Sequence, residues 1–261
     1  MKLRALVLSA VILSLVGCGG STGGTGGGAG GGSSAGGGAG GGSGGGAGGG
    51  TPAPVYTDYL EGTPPAAVAF EDVCATGTVI DLSVSAAITL PFTFHYYAES
   101  VTSARISQNG WISFSKYVSG SALSTSHQTL PSTMGPSDSI YVLWHNLLPP
   151  PAPAKALCYT TVGTAPKRTF VVQWNQASFY ANPIPAGADL TFEARLNEEN
   201  DTIDILYKTI NPTASLTAEV PKVTIGLVDE QTVGGGHVAV KFKQSTTIPV
   251  AGVSIRFTPR P

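Results

Sequence analysis

Trp144, His145 and Asn146 stand side by side in the chain, and Phe179 and Tyr180 form a second polar-aromatic group further on. An aromatic face stacks on the apolar side of a sugar ring, while an imidazole and a carboxamide exchange hydrogen bonds with its hydroxyls. These five residues are the candidate ligand-binding set, for a glycan or an extracellular protein. The same letters also read as a core tryptophan followed by a polar histidine at a strand end. Asn197-Glu198-Glu199-Asn200-Asp201 carries enough oxygens for Ca²⁺. It lacks EF-hand spacing, however, and Asn and Asp are ordinary hairpin-turn residues, so the turn is the preferred reading. His95, His127, His145 and His237 are scattered, and no CxxC or HxxxH spacing occurs, so no metal site is expected.

Catalytic patterns are missing too. There is no G-x-S-x-G elbow, and Gly234-Gly235-Gly236 lacks the Lys-Ser/Thr of a phosphate loop. Asp189 and Glu193 are carboxylates that could meet in space, but nothing in the sequence places them as a glycosidase pair. The expectation is therefore a non-enzyme with no catalytic residues and no cofactor. A pocket with convergent carboxylates, or a His–carboxylate pair, would argue for a hydrolase instead. The chain has 14 Lys and Arg against 16 Asp and Glu, with no basic stripe for nucleic acid.

What positions these residues begins at the N-terminus. Lys2 and Arg4 precede an apolar run from Ala5 to Val16, which is shorter than the roughly 20 residues a membrane span needs. Leu15-Val16-Gly17-Cys18 resembles the bacterial lipobox. The resemblance implies a diacylglyceryl group on the Cys18 sulfur, cleavage before Cys18 and acylation of the new amino terminus. An ordinary secretory signal with an incidental cysteine is the other reading. One acyl chain binds a membrane only marginally, whereas several on one residue hold the protein there. Gly19, rather than Asp, follows the lipidated position and resembles an outer-membrane address. The expected location is thus the bacterial cell envelope, lipid-anchored at the outer membrane.

Residues 1–17 are accordingly a signal peptide, 18–54 a lipidated cysteine with a disordered tether, and 55–261 a single β-sandwich domain. Gly with scattered Ser, Ala and Thr buries no apolar surface and offsets none of its backbone entropy. A coil of this length has an r.m.s. reach of roughly 30 Å, enough to hold a domain off a membrane. With Cys18 lipidated, Cys74 and Cys158 remain as a pair in an oxidising compartment, which predicts a disulfide; two buried thiols are the alternative.

Period two dominates the rest. Leu90, Phe92, Phe94 and Tyr96 share one strand face; so do Ile140, Val142 and Trp144, and likewise Phe170, Val172 and Trp174. Leu190, Phe192, Ala194 and Leu196 oppose Thr191, Glu193 and Arg195. This strand forms a hairpin with Ile203, Ile205 and Tyr207 across Asn197 to Thr202. Asn109-Gly110 marks a hairpin between VTSARIS and WISF. VTIGLV, VAVKF and VSIRF complete an all-β, antiparallel, jelly-roll-like sandwich.

ISQNGWISFS, LWHNLLPP, APKRTFVVQWNQASFY, FEARLNEENDTIDILYK and VTIGLVDE together resemble a β-sandwich domain of secreted bacterial proteins and, more distantly, the nidogen-like extracellular domain. The likeness runs from Pro91 to about Glu230. It implies a non-catalytic module of surface, adhesive or matrix-associated proteins. His145 and Asn146 stand where that pattern has acidic residues, so a cation-binding role does not carry over.

The expected function is a membrane-anchored surface lipoprotein displaying a binding or adhesion sandwich, with a purely structural envelope or matrix component as the alternative. Specificity is expected in two loops, the stiff Pro149–Pro153 connector and the Asn175–Gly187 stretch, because loops on a rigid scaffold usually carry it. Exposure of Trp111, Tyr117, Phe179 and Tyr180 on one edge would favour binding, and burial of all four the structural role.

Overall fold

Alternating side chains give each strand one apolar face, and two such sheets escape water by closing on each other. The computed structural model describes residues 53–65, 68–116, 118, 128–130, 132, 134–180, 189–211, 223–229, 238–239, 243–245 and 249–261, which form strands and turns and no helix. Cys18 and the glycine tract, Tyr117, His127, Gly234 to His237 and the 181–187 part of the second loop lie outside the described residues.

Strands are numbered along the chain. One sheet runs β1 (Asp58–Gly62), β15 (Ser254–Arg260), β11 (Ile203–Asn211), β10 (Asp189–Asn197), β9 (Thr169–Phe179), β8 (Leu157–Val162) and β2 (Thr78–Val79), with β7 (Leu147–Leu148) pairing β9. The other runs β13 (Val238–Ala239), β12 (Val223–Asp229), β6 (Ser139–Trp144), β5 (Trp111–Ser113), β4 (Glu99–Ser107) and β3 (Ile88–Tyr96), with β14 (Lys243–Ser245) also on β12. The β8–β11 pairings are antiparallel and sequential, a meander, so the likeness to a jelly roll rests on the two-sheet sandwich. Edge strand β3 carries Pro91, whose missing N–H suits an edge position.

The inner faces supply one continuous core, including Phe94, Ile106, Ile112, Ile140 and Val142 from one sheet and Phe170, Val172, Trp174, Phe192, Ile205 and Phe257 from the other. Side-chain hydrogen bonds cross it as well. Trp174 Nε1–H donates to the Ser107 carbonyl at 2.8 Å, and the Tyr207 hydroxyl donates to the Val142 carbonyl at 2.6 Å. Each satisfies a polar group that burial would otherwise strand, and each ties one sheet to the other.

Trp144 departs from the simple alternation. Val142 and Leu143 both direct their N–H at the Gly110 carbonyl, at 2.9 and 3.1 Å, and the β6–β12 register slips between Thr224 and Gly226. This β-bulge shifts the phase by one residue, so Trp144 leaves the Ile140–Val142 face. It packs instead with Trp111, Tyr141, Leu130 and Val228 in a separate buried cluster. The Asn109-Gly110 signal also resolves differently from a two-residue turn: Ser107 pairs with Trp111 across three residues, and Gly110 alone has positive φ, at 81°. The Asn109 side-chain oxygen accepts the Leu147 N–H at 3.1 Å, so this turn is built into the fold rather than offered to solvent.

The Cys74–Cys158 disulfide is formed. It pins a strap, residues 68–77, across the outer face of the first sheet. Cys158, Gln173 and Glu193 lie in one cross-strand row on β8, β9 and β10. Gln173 accepts the Cys74 N–H at 2.9 Å and Glu193 accepts the Glu71 N–H at 3.1 Å. Arg195 donates to the Ala69 carbonyl at 2.6 Å, and Lys208 sits over the Phe70 ring. The polar residues that alternation placed outward on β9 and β10 are therefore roofed over.

Candidate functional site

Among the described residues, chemistry-bearing side chains come together at several places on the sandwich. The first is where β7 pairs with the end of β9. Leu147 faces Phe179 there, and the Tyr180 N–H donates to the Asn146 carbonyl at 2.8 Å. The two groups that the sequence separates, 144–146 and 179–180, thus meet. They do not present a common face. Trp144 is fully buried and Phe179 nearly so, His145 and Asn146 are half-buried, and only Tyr180 stands well out, at 56% exposure. His145 packs edge-on to Phe179 with centroids 4.6 Å apart. Trp111 is buried as well, so of the four aromatics named as an indicator Tyr180 alone is exposed among the described residues.

The neighbouring loops depart from their sequence reading. The proline connector is turned rather than extended throughout, with the Ala154 N–H donating to the Pro151 carbonyl at 3.2 Å. Asn175 to Phe179 belong to β9: a register slip against β10, with Gln176 at φ 52°, lets the strand resume beyond Trp174. The Thr191 hydroxyl accepts the Gln176 N–H at 3.0 Å and stabilises that irregularity.

The second place is a cleft of about 250 Å³ at the tips of the β8–β9 and β10–β11 hairpins, lined by Lys167, Arg168, Thr169, Asn197, Glu199, Asn200, Thr202 and Arg256. Antiparallel pairing puts Thr169 opposite Asn197 and Asp204 opposite Arg256, so these residues share the outer face of the first sheet. Arg168 holds Glu198 through Nε at 2.8 Å and Nη2 at 2.5 Å. Arg256 holds Asp204 in the same two-pronged way at 2.6 Å for both contacts. Such paired donors fix the plane of the guanidinium as well as its charge. The hydrogen bonds from Arg168 hold the Glu198 carboxyl below the usual carboxylate range. Lys167 pairs with Glu199 at 2.9 Å in a more open position.

Within the turn, the Asn197 amide donates to Thr202 and to Asp204 Oδ2, and the Asn200 oxygen accepts both the N–H and the hydroxyl of Thr202. The acids of the run Asn197 to Asp201 are thus engaged by cations, a tyrosine and a histidine, and they point to different partners. Among the described residues no three His, Cys, Asp or Glu converge as metal ligands. The cleft itself was not foreseen. Its signal was the Lys167-Arg168 pair ahead of one strand and the acid-rich turn after the next, complementary charges that antiparallel pairing brings level.

Asp201 joins a further group. Its carboxylate accepts the Tyr56 hydroxyl at 2.8 Å, the His95 N–H at 3.0 Å and faces His95 Nδ1 at 3.0 Å. Burial and this hydrogen bond push the Tyr56 hydroxyl up to about 12. A His–carboxylate pair is therefore present, but it lies outside the cleft lining. Among the described residues no hydroxyl or thiol hydrogen-bonds the other ring nitrogen. The group ties the β10–β11 turn of one sheet to β3 of the other and to the segment before β1.

Glu193 has no solvent exposure, and desolvation pushes its carboxyl up to about 7 despite Arg195 at 3.2 Å. The strap N–H of Glu71 reaches it, while Asp189 bonds the Thr191 hydroxyl at 2.6 Å. Glu193 thus serves the strap.

No curated protein and no solved structure matches the chain. A family model described as NIDO related matches residues 63–259, which takes in the second sheet, the first sheet apart from β1, the strap and the hairpin-tip cleft. The chain belongs to the NIDO-related family.

Proposed function

We propose that the protein is a lipid-anchored, non-catalytic binding or adhesion module of the bacterial cell surface, held away from the outer membrane by its glycine tether. The observation that carries this reading is the Cys74–Cys158 disulfide beneath the strap, because such bonds persist in oxidising, extracytoplasmic compartments. The lipobox at Cys18 supplies the anchor, and membership of the NIDO-related family fits an extracellular role. A rigid sandwich with ion-paired, outward-facing hairpin tips offers a fixed surface for recognition.

A purely structural envelope or matrix component is the second reading, favoured by the burial of Trp111, Trp144 and Phe179. The full chain in detergent micelles, applied to an array of glycans and extracellular matrix proteins with and without Ca²⁺, separates the two. Reproducible binding supports the module, and a silent array from folded protein supports the structural role.

A further inference from the structure

From the hairpin-tip cleft we infer a binding site for a neutral, hydroxyl-rich sugar unit of a polysaccharide. The inference rests on the binding-module reading above and assigns it a place and a ligand chemistry.

Charge balance argues against an anion. The three cations of the lining, Lys167, Arg168 and Arg256, each already face a carboxylate, Glu199, Glu198 and Asp204. A phosphate or sulfate entering the cleft would meet no net positive field. Unused hydrogen-bonding capacity remains. Each guanidinium spends Nε and Nη2 on its carboxylate, and Nη1 donates to no protein group among the described residues. Asn200 uses its oxygen on Thr202, and its amide nitrogen donates to no protein group among the described residues. Glu199 keeps a second oxygen as acceptor beside Lys167. Fixed planar donors next to an acceptor match vicinal hydroxyls, which both give and accept hydrogen bonds.

Rigidity argues for recognition over solvation. Arg168 is held from below by the Phe92 ring, 5.5 Å from its guanidinium carbon, and Asn197 is held by Thr202 and Asp204. The polar groups are ordered before a ligand arrives, which lowers the entropic cost of binding. At about 250 Å³ the cleft lies below the roughly 300–1,000 Å³ of drug-sized pockets, so it suits a single unit of a longer chain.

The test measures binding of the full chain in micelles to immobilised dextran, mannan and galactan, with alginate as the anionic arm. At least one neutral polysaccharide should bind, with affinity insensitive to added salt. Asn200→Asp keeps the turn acceptor but removes the amide donor, and Lys167→Gln removes an exposed ammonium. Each should weaken that binding by about tenfold with an unchanged melting temperature. Three results would overturn the assignment: neutral binding untouched by both variants, preference for alginate that salt abolishes, or no binding to any of the three neutral polysaccharides. Capture of a matrix protein alongside the last result would leave the binding module standing without this site.

Discussion

Cys158 and Gln173 face each other across β8 and β9, and both hold Cys74: one through its sulfur, the other by accepting the Cys74 N–H at 2.9 Å. The strap is thus fastened covalently and by hydrogen bonds at one point, then continues over Glu193 and Arg195.

Replacing both cysteines with alanine should remove the covalent part alone. The disulfide closes a loop spanning a sequence separation of 84 residues. Chain entropy alone puts that at about 4–5 kcal/mol, and native disulfides typically contribute about 2–5 kcal/mol. Urea unfolding of the double variant should show a loss of about 3 kcal/mol. A change under about 1 kcal/mol would mean the polar contacts carry the strap without it.

Glu193 makes stability depend on pH. Its folded carboxyl titrates near 7, above the ordinary value of 4.5, so the folded chain holds a proton that the unfolded chain releases earlier. The contribution is fully present below 4.5 and is lost as pH rises through about 7. The shift corresponds to as much as about 3 kcal/mol. Glu193→Gln keeps an acceptor for the Glu71 N–H and does not titrate. Chemical denaturation at pH 5 and pH 8 should show the variant losing less stability than the parent over that interval; parallel losses would contradict the assignment.

Gly110 has no room for a side chain. A Cβ would fall 2.1 Å from the Leu143 carbonyl oxygen, and its φ of +81° disfavours any other residue. Gly110→Ala should destabilise the protein by about 2 kcal/mol or more, because the β6 bulge depends on the Gly110 carbonyl. Thermal melting would register this as a clear drop, and an unchanged midpoint would show that the turn can relax.

The cross-sheet bonds are individually small. Tyr207→Phe leaves the Val142 carbonyl without its side-chain donor and should cost about 1–2 kcal/mol with the fold retained. Equilibrium denaturation measures it, and a neutral result would mean another group satisfies that carbonyl.

Much of the sandwich was legible in period two. Leu90, Phe92, Phe94 and Tyr96 all face inward, as do Phe170, Val172 and Trp174 and the paired sets on β10 and β11, because burial on one face imposes the alternation. Trp144 was legible as core but not as to which core, since a bulge changes phase without changing composition. The strap was hidden for a different reason. Gln173 and Glu193 look solvent-facing until a distant segment covers them, and only the two cysteines hinted at that. The hairpin-tip cleft depends on strand register, which brings Thr169 level with Asn197 and Arg256 level with Asp204; register is a long-range property that local patterns do not carry.

We propose that this sandwich is displayed from a membrane by a lipid on Cys18. The most direct measurement expresses the full chain in a bacterium with an outer membrane, fed labelled palmitate, and follows label and membrane fraction for the parent and for Cys18→Ser. Labelled parent protein should appear in the membrane fraction, and the variant should carry no label and be lost from that fraction. Unlabelled parent protein, recovered free of the membrane and processed elsewhere than before Cys18, would contradict the proposal.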